Sequence, residues 1–166
     1  MKRIPWIPAL IIFVLGTLAI GIPLDHWNTK MRDRTGFAFP DLQNAKSESK
    51  ARQVLDGWKD PKVRAEIAST MKLDLVFPFF YAPLIALIAF RASRSVRHRW
   101  VVTLGAALAG GALAAGIFDL LENATMLRML ADDDATRWRL VQAFGMPKNY
   151  LCQAATIYAL LAHFDI

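Results

Sequence analysis

Asp119, Glu122 and Asn123 close a stretch, Trp100 to Ile117, that carries no charge at all. Positions i, i+3 and i+4 share one helix face, so these three side chains project together. Asp74 is a third acid in apolar company, inside Leu73-Asp74-Leu75-Val76-Phe77-Pro78-Phe79-Phe80-Tyr81. Tyr81, seven residues on, returns to the Asp74 face. Lys148, with Asn149 and Tyr150, opens another apolar stretch. A charge at membrane depth costs about 3 kcal/mol or more, so such residues turn toward a bundle interior or a water-filled cavity. Crowded carboxylates beside a lysine can hold one acid protonated and another ionised, as general acid and base chemistry requires. Asp74, Tyr81, Asp119, Glu122, Asn123 and Lys148 are therefore the candidate ligand-binding set, with Tyr81 and Asn123 as orienting groups.

Two plainer readings compete. Asp119 or Glu122 can pair with Lys148 merely to lock two helices together. Glu122 can also lie in the headgroup zone, where charge is cheap. A metal reading would join His26 to Asp74, Asp119 and Glu122. No His-Glu-x-x-His and no Glu-x-x-His pair is present, so no metal and no cofactor is expected. His26 and His163 fall at opposite ends of the expected bundle, which argues against haem. Met126 and Met129 read as packing residues. There is no Gly-rich phosphate loop, no Gly-x-Ser-x-Gly elbow and no Cys-x-x-Cys pair.

The elements that must position this set are apolar blocks. The chain of 166 residues is 55% hydrophobic and still 20% charged, so the apolar residues are concentrated. Ile4 to Pro23, Leu75 to Phe90 and Trp100 to Phe118 are uncharged, and Asn149 to Phe164 is so apart from His163. A bilayer core takes about 20 mostly apolar residues. Four spans are expected, at about 4–24, 72–90, 100–121 and 148–164, in one membrane domain covering 1–166. The first apolar run exceeds a signal-peptide core and lacks an Ala-x-Ala site, so it reads as an uncleaved anchor. The single cysteine, Cys152, gives no disulfide within the chain. The net charge of +6 comes without a basic stripe interleaved with aromatics, so no nucleic-acid partner is expected.

The segment at about 25–71 reads as an external helical insert. Phe39-Pro40-Asp41 can cap a helix running to about Trp58, with Val54, Leu55 and Trp58 on one stripe. Asp60-Pro61 pairs an N-cap acid with proline at the first helical position. Val63, Ile67 and Met71 then recur at helical spacing, on a helix that can run unbroken into the second span. Pro78 and Pro83 should kink or locally open that span near Asp74. Small residues from Gly105 to Gly116 let helix backbones approach closely, so the third span is expected at the centre.

The pattern Asp74-x-x-Phe77-Pro78-x-x-Tyr81, then Asp119-Leu120-Leu121-Glu122-Asn123, then a lysine opening the last span, resembles a set of small bacterial four-helix membrane proteins. The likeness covers roughly residues 50 to 165. That set has no assigned activity, so the resemblance implies architecture and site but names no chemistry. The sequence thus points to an all-α four-span bundle in a bacterial inner membrane. Its expected role is to bind, and to process or move, a lipid or amphiphile. The competing class is a non-enzymatic accessory or scaffold subunit held to a membrane-protein partner or to a second copy. Neither a reaction nor a substrate is named by the residues.

Orientation follows from basic loops. Lys2 and Arg3 precede the first span, and Arg91, Arg94, Arg97 and Arg99 sit in the loop between the second and third with no acid among them. Short Lys- and Arg-rich loops stay in the cytoplasm, so both termini are expected there. Reporter fusions at Arg94 and at Lys46 should report opposite sides of the membrane. Cytoplasmic signal from both would rule out this topology.

Overall fold

The computed structural model describes residues 6–96 and 98–162. Lys2, Arg3, Arg97 and His163 lie outside the described residues. Every regular element among those described is helical. Helix α1 spans Trp6–Thr35, α2 Phe39–Gln43, α3 Glu48–Gly57, α4 Pro61–Asp74, α5 Pro78–Ser93, α6 Arg99–Asp132 and α7 Trp138–Leu161, with a 3-10 turn at Ala135–Arg137 before the last. Three stretches are long and apolar enough to cross a membrane: Trp6–Thr35, Pro61–Ser93 and Arg99–Asp132.

The helices outrun the apolar blocks that announce them. Helix α1 continues past residue 24 to Thr35, so Asp25 and His26 are helical residues, both exposed. Gly36 ends it in the left-handed region, at φ 81°, and donates to the Arg32 carbonyl. The insert contains two helices where the sequence suggested one from Phe39 to Trp58. Ser47 is the reason: its hydroxyl accepts from the Lys50 backbone N–H and starts α3 afresh. Asp60 caps α4 as its position before Pro61 implies, accepting from Lys62 and Val63.

Helix α4 does not run unbroken into α5. Pro78 has no N–H to offer the Asp74 carbonyl. The ladder shortens over residues 75–77, where Val76 and Phe77 donate three residues back, to Leu73 and Asp74. The break leaves Asp74 as the last residue of α4, directly beneath the point where α5 begins.

Helix α6 is central, packing along both α5 and α7, while α1 rests on α5. The interior divides into two chemically different halves. At the insert end Met31, Phe39, Leu42, Val54, Leu55, Trp58, Ile67, Met71, Met126, Met129 and Val141 form a core of large side chains. Trp58 is fully buried there. At the arginine-loop end the core is alanine, with Ala86, Ala89, Ala109, Ala112, Ala155 and Ala159 around Tyr158. The first kind of core is what water drives together. The second is what helices use where their outer faces are covered by lipid and close backbone approach does the work. The outer faces agree, since Ile11, Leu15, Leu18, Phe79, Leu113, Ile117 and Ile157 are all exposed.

Charged ties close the insert end. Arg52 of α3 and Arg64 of α4 both donate to Asp133, at 2.9 and 2.5 Å. Asp133 caps α6 at φ 54°. The hydrogen bond from Arg64 holds the Asp133 carboxyl below its ordinary range. This tie is therefore present above the usual carboxylate pKa and is lost as pH falls through the lowered value. Asp133 is exposed enough that solvent keeps the contribution small.

The two glycines Gly110 and Gly116 of α6 separate packing from propensity. A Cβ on Gly116 would lie 2.8 Å from the Ala82 Cβ, whereas one on Gly110 meets nothing within 4 Å. Gly116→Leu should lower the melting temperature in detergent markedly, by overpacking worth about 1–3 kcal/mol. Gly110→Ala should be neutral or raise it, through about 0.5–1 kcal/mol of helix propensity. Equal tolerance of both changes would contradict the α5–α6 packing.

Candidate functional site

The polar set gathers where the two cores meet. Asp119, Glu122 and Asn123 sit on the inner face of α6, at 5%, 2% and 0% exposure. Lys148 comes from the middle of α7, one residue after Pro147 within the helix. Its ammonium donates to Asp119 Oδ1 at 3.0 Å and to Glu122 Oε2. Tyr81, one turn into α5, donates its hydroxyl to Asp119 Oδ2 at 2.8 Å. The Asn123 amide reaches Asp119 Oδ1 at 3.5 Å. Both Asp119 oxygens are thus occupied by donors from three helices, α5, α6 and α7.

The energetics favour keeping this set whole. Each ion loses several kcal/mol of hydration on burial, and mutual attraction offsets that only with good geometry and further hydrogen bonds. Tyr81 and Asn123 supply the further bonds. Gly145 supplies the room. It lies one turn before Lys148, and a Cβ there would stand 2.5 Å from Glu122 Oε1. A bare backbone at this position lets the Glu122 carboxyl pack flat against α7.

Asp74 differs from the other two acids. It is half-buried, and among the described residues it has no ion-pair partner. It lies within electrostatic range of Asp119, Lys148 and Glu122 and next to the Asn123 side chain. It also lines a cavity of about 290 Å³ whose floor is Asp119 and Lys148. The other walls come from α1, with Gly21, Leu24, Asp25 and Asn28, from α2, with Phe39, Pro40 and Gln43, and from Phe77. Helix α2 is held over this space at both ends. Asn28 of α1 accepts from the Phe39 N–H at 3.2 Å, and Gln142 of α7 donates to the Gln43 carbonyl.

All six candidates therefore stand together: Tyr81, Asn123 and Lys148 bond to Asp119 or Glu122, and Asp74 lines the same cavity as Asp119 and Lys148. Asp25, Asn28, Gln43, Phe39 and Gly145 are additional. His26 is exposed on α1 and is not part of the cavity wall. Among the described residues no three His, Cys, Asp or Glu side chains are arranged to hold a metal ion. Chemically, the arrangement offers one ammonium shared by two acids and a third acid on the wall of a cavity that Phe39 and Phe77 also line.

Against models of known families, curated proteins and solved structures, the chain finds no match.

The ion cluster makes a stability prediction with two arms. Lys148→Met leaves two buried carboxylates without a counter-ion and should cost about 3–5 kcal/mol. Adding Asp119→Leu and Glu122→Leu to it removes the charges as well and should recover most of that loss. Denaturant titration of the three-fold and single variants in detergent reads both. A single variant as stable as the parent would contradict the geometry.

Proposed function

We propose that the chain is a four-span protein of a bacterial inner membrane, with both termini cytoplasmic and the insert outside. In this reading α7 is the fourth span, and the polar site lies at the outer boundary of the bilayer. The site binds, and moves or processes, a lipid or other amphiphile. The observation that supports this most is the cavity walled by Asp74, Asp119 and Lys148 at the junction of the two cores. A headgroup would enter among polar side chains there, while its apolar part stayed beside the lipid-facing half of the bundle.

The charge balance favours a headgroup that carries a positive charge. Lys148 is already shared by Asp119 and Glu122, and Asp74 and Asp25 add further negative charge to the same lining. An ammonium in this cavity would be drawn to the carboxylates that line it. A phosphate alone would meet repulsion.

The scaffold reading rests on a different observation. Only 6% of the apolar window of α1 is buried, which leaves a face for another membrane protein or a second copy. The two readings part on one experiment. Asp119→Asn with Glu122→Gln should still reach the folded state, at a cost of several kcal/mol for the Lys148 ammonium left without its carboxylates, because the amides are isosteric and still hydrogen bond. It should also abolish binding of an amine-bearing lipid, phosphatidylethanolamine, followed by native mass spectrometry from detergent alongside a thermal melt. Intact binding in a folded double variant would leave the scaffold as the better reading.

A further inference from the structure

A second cleft lies at the opposite end of the bundle; its reading does not rest on the acid–lysine cluster, and only its leaflet rests on the proposed topology. Helices α1 and α5 run antiparallel, so Trp6, the first residue of α1, meets Arg91 near the end of α5. The Arg91 guanidinium carbon stands 4.5 Å from the centre of the Trp6 ring. Both residues border a cavity of about 290 Å³ whose remaining lining is Leu10, Leu87, Ile88, Ala92, Ser95 and Ala159. One edge of this cleft is thus a guanidinium and a hydroxyl, and the rest is apolar.

We propose that this cleft is a binding site for an anionic phospholipid of the cytoplasmic leaflet, its phosphate on Arg91 and Ser95 and its acyl chain along Leu10, Leu87 and Ile88. Three features carry the assignment. The first is charge: Arg91, Arg94 and Arg99 crowd this end of α5 and α6, and no described acid pairs with any of them. Anionic headgroups collect at basic pockets between membrane helices on the cytoplasmic side. The second is geometry: the Arg91 guanidinium lies over the Trp6 ring, on the wall of the cleft that both residues line. A planar fork meets two phosphate oxygens at once, which a mobile ammonium does not. The third is amphipathicity: the charged mouth opens directly onto an apolar wall, as a headgroup with its first methylenes requires. Arg94 provides the internal comparison. It has the same charge at the same end, but it lies over the Phe90 ring at 5.2 Å and is not part of the cleft wall.

The test titrates the full chain in detergent with phosphatidylglycerol and with phosphatidylcholine and counts bound lipids by native mass spectrometry. The parent should prefer phosphatidylglycerol. Arg91→Gln should weaken that preference by about fivefold or more, the worth of one basic residue at a membrane surface. Arg94→Gln should weaken it clearly less. Ser95→Asp, which places a like charge at the mouth without touching the helix interior, should act as Arg91→Gln does and covers the case in which that variant does not fold. Three results would each overturn the site: no preference in the parent, an undiminished preference in folded Arg91→Gln or Ser95→Asp, or an equal loss in Arg94→Gln. The last would mean diffuse attraction to a basic surface. Loss of phosphatidylethanolamine binding in the acid-cluster variants should leave all of these results unchanged, so the two sites fail independently.

Discussion

One ammonium serving two buried carboxylates is the contact on which the rest of this structure depends. Lys148 can reach Asp119 and Glu122 together only if α6 and α7 lie side by side at that level, and α6 presents both acids on one face. Tyr81 then fixes α5 against the same carboxylate. Three helices are located by a single charged point. In an apolar bundle this matters, because apolar packing alone tolerates sliding and rotation, while an unpaired charge does not. The bland Ala–Ala contacts of the arginine-loop end can afford to be non-specific because register is set elsewhere.

The same contact marks a change in the character of the core. Above it, toward the insert, the core is built of Trp58, Leu55, Met71, Met126 and Met129, side chains large enough to make burial from water strongly favourable. Below it the helices meet through alanine and glycine, and the large residues are on the outside. A polar cluster belongs at such a boundary. It is shielded enough to strengthen hydrogen bonds, yet one side remains within reach of water through the cavity under α2. The ties from Asn28 and Gln142 hold α2 beside this cavity, which Phe39, Pro40 and Gln43 line.

What the sequence revealed depended on contrast. Asp74, Asp119, Glu122 and Lys148 are conspicuous because charge stands out in apolar surroundings. The α4 stripe was legible too, since Val63, Ile67 and Met71 recur every turn after an evident cap, and they are 4%, 0% and 1% exposed. Gly145 gave no such signal. Its part is defined by what fills the space it leaves, and Glu122 is a neighbour only after folding. Asn28, Phe39 and Gln43 were hidden for the same reason, being brought over the site by the return of the insert. Ser47 was missed as a helix start because the residues around it are polar on every face, so no apolar phase marks where one helix ends and the next begins. The lengths of α1 and α6 were also unreadable from hydropathy, which reports where lipid would end and says nothing of where the helix does.

Asp74 is the residue whose placement asks for more than a structural account. Pro78 cannot donate to its carbonyl, and the break at residues 75–77 makes it the last residue of α4. A helix C-terminus carries partial negative charge, so a carboxylate there is disfavoured by about 0.3–1 kcal/mol even at the surface. Asp119 and Glu122 nearby add repulsion, and Lys148 is already engaged by both of them. A carboxylate meant only to lock helices would be better placed at a first turn, or opposite an unshared cation. Asp74 instead lines a cavity, with no ion-pair partner among the described residues. In the function we propose, an ammonium headgroup entering beside Asp74 would relieve this local imbalance.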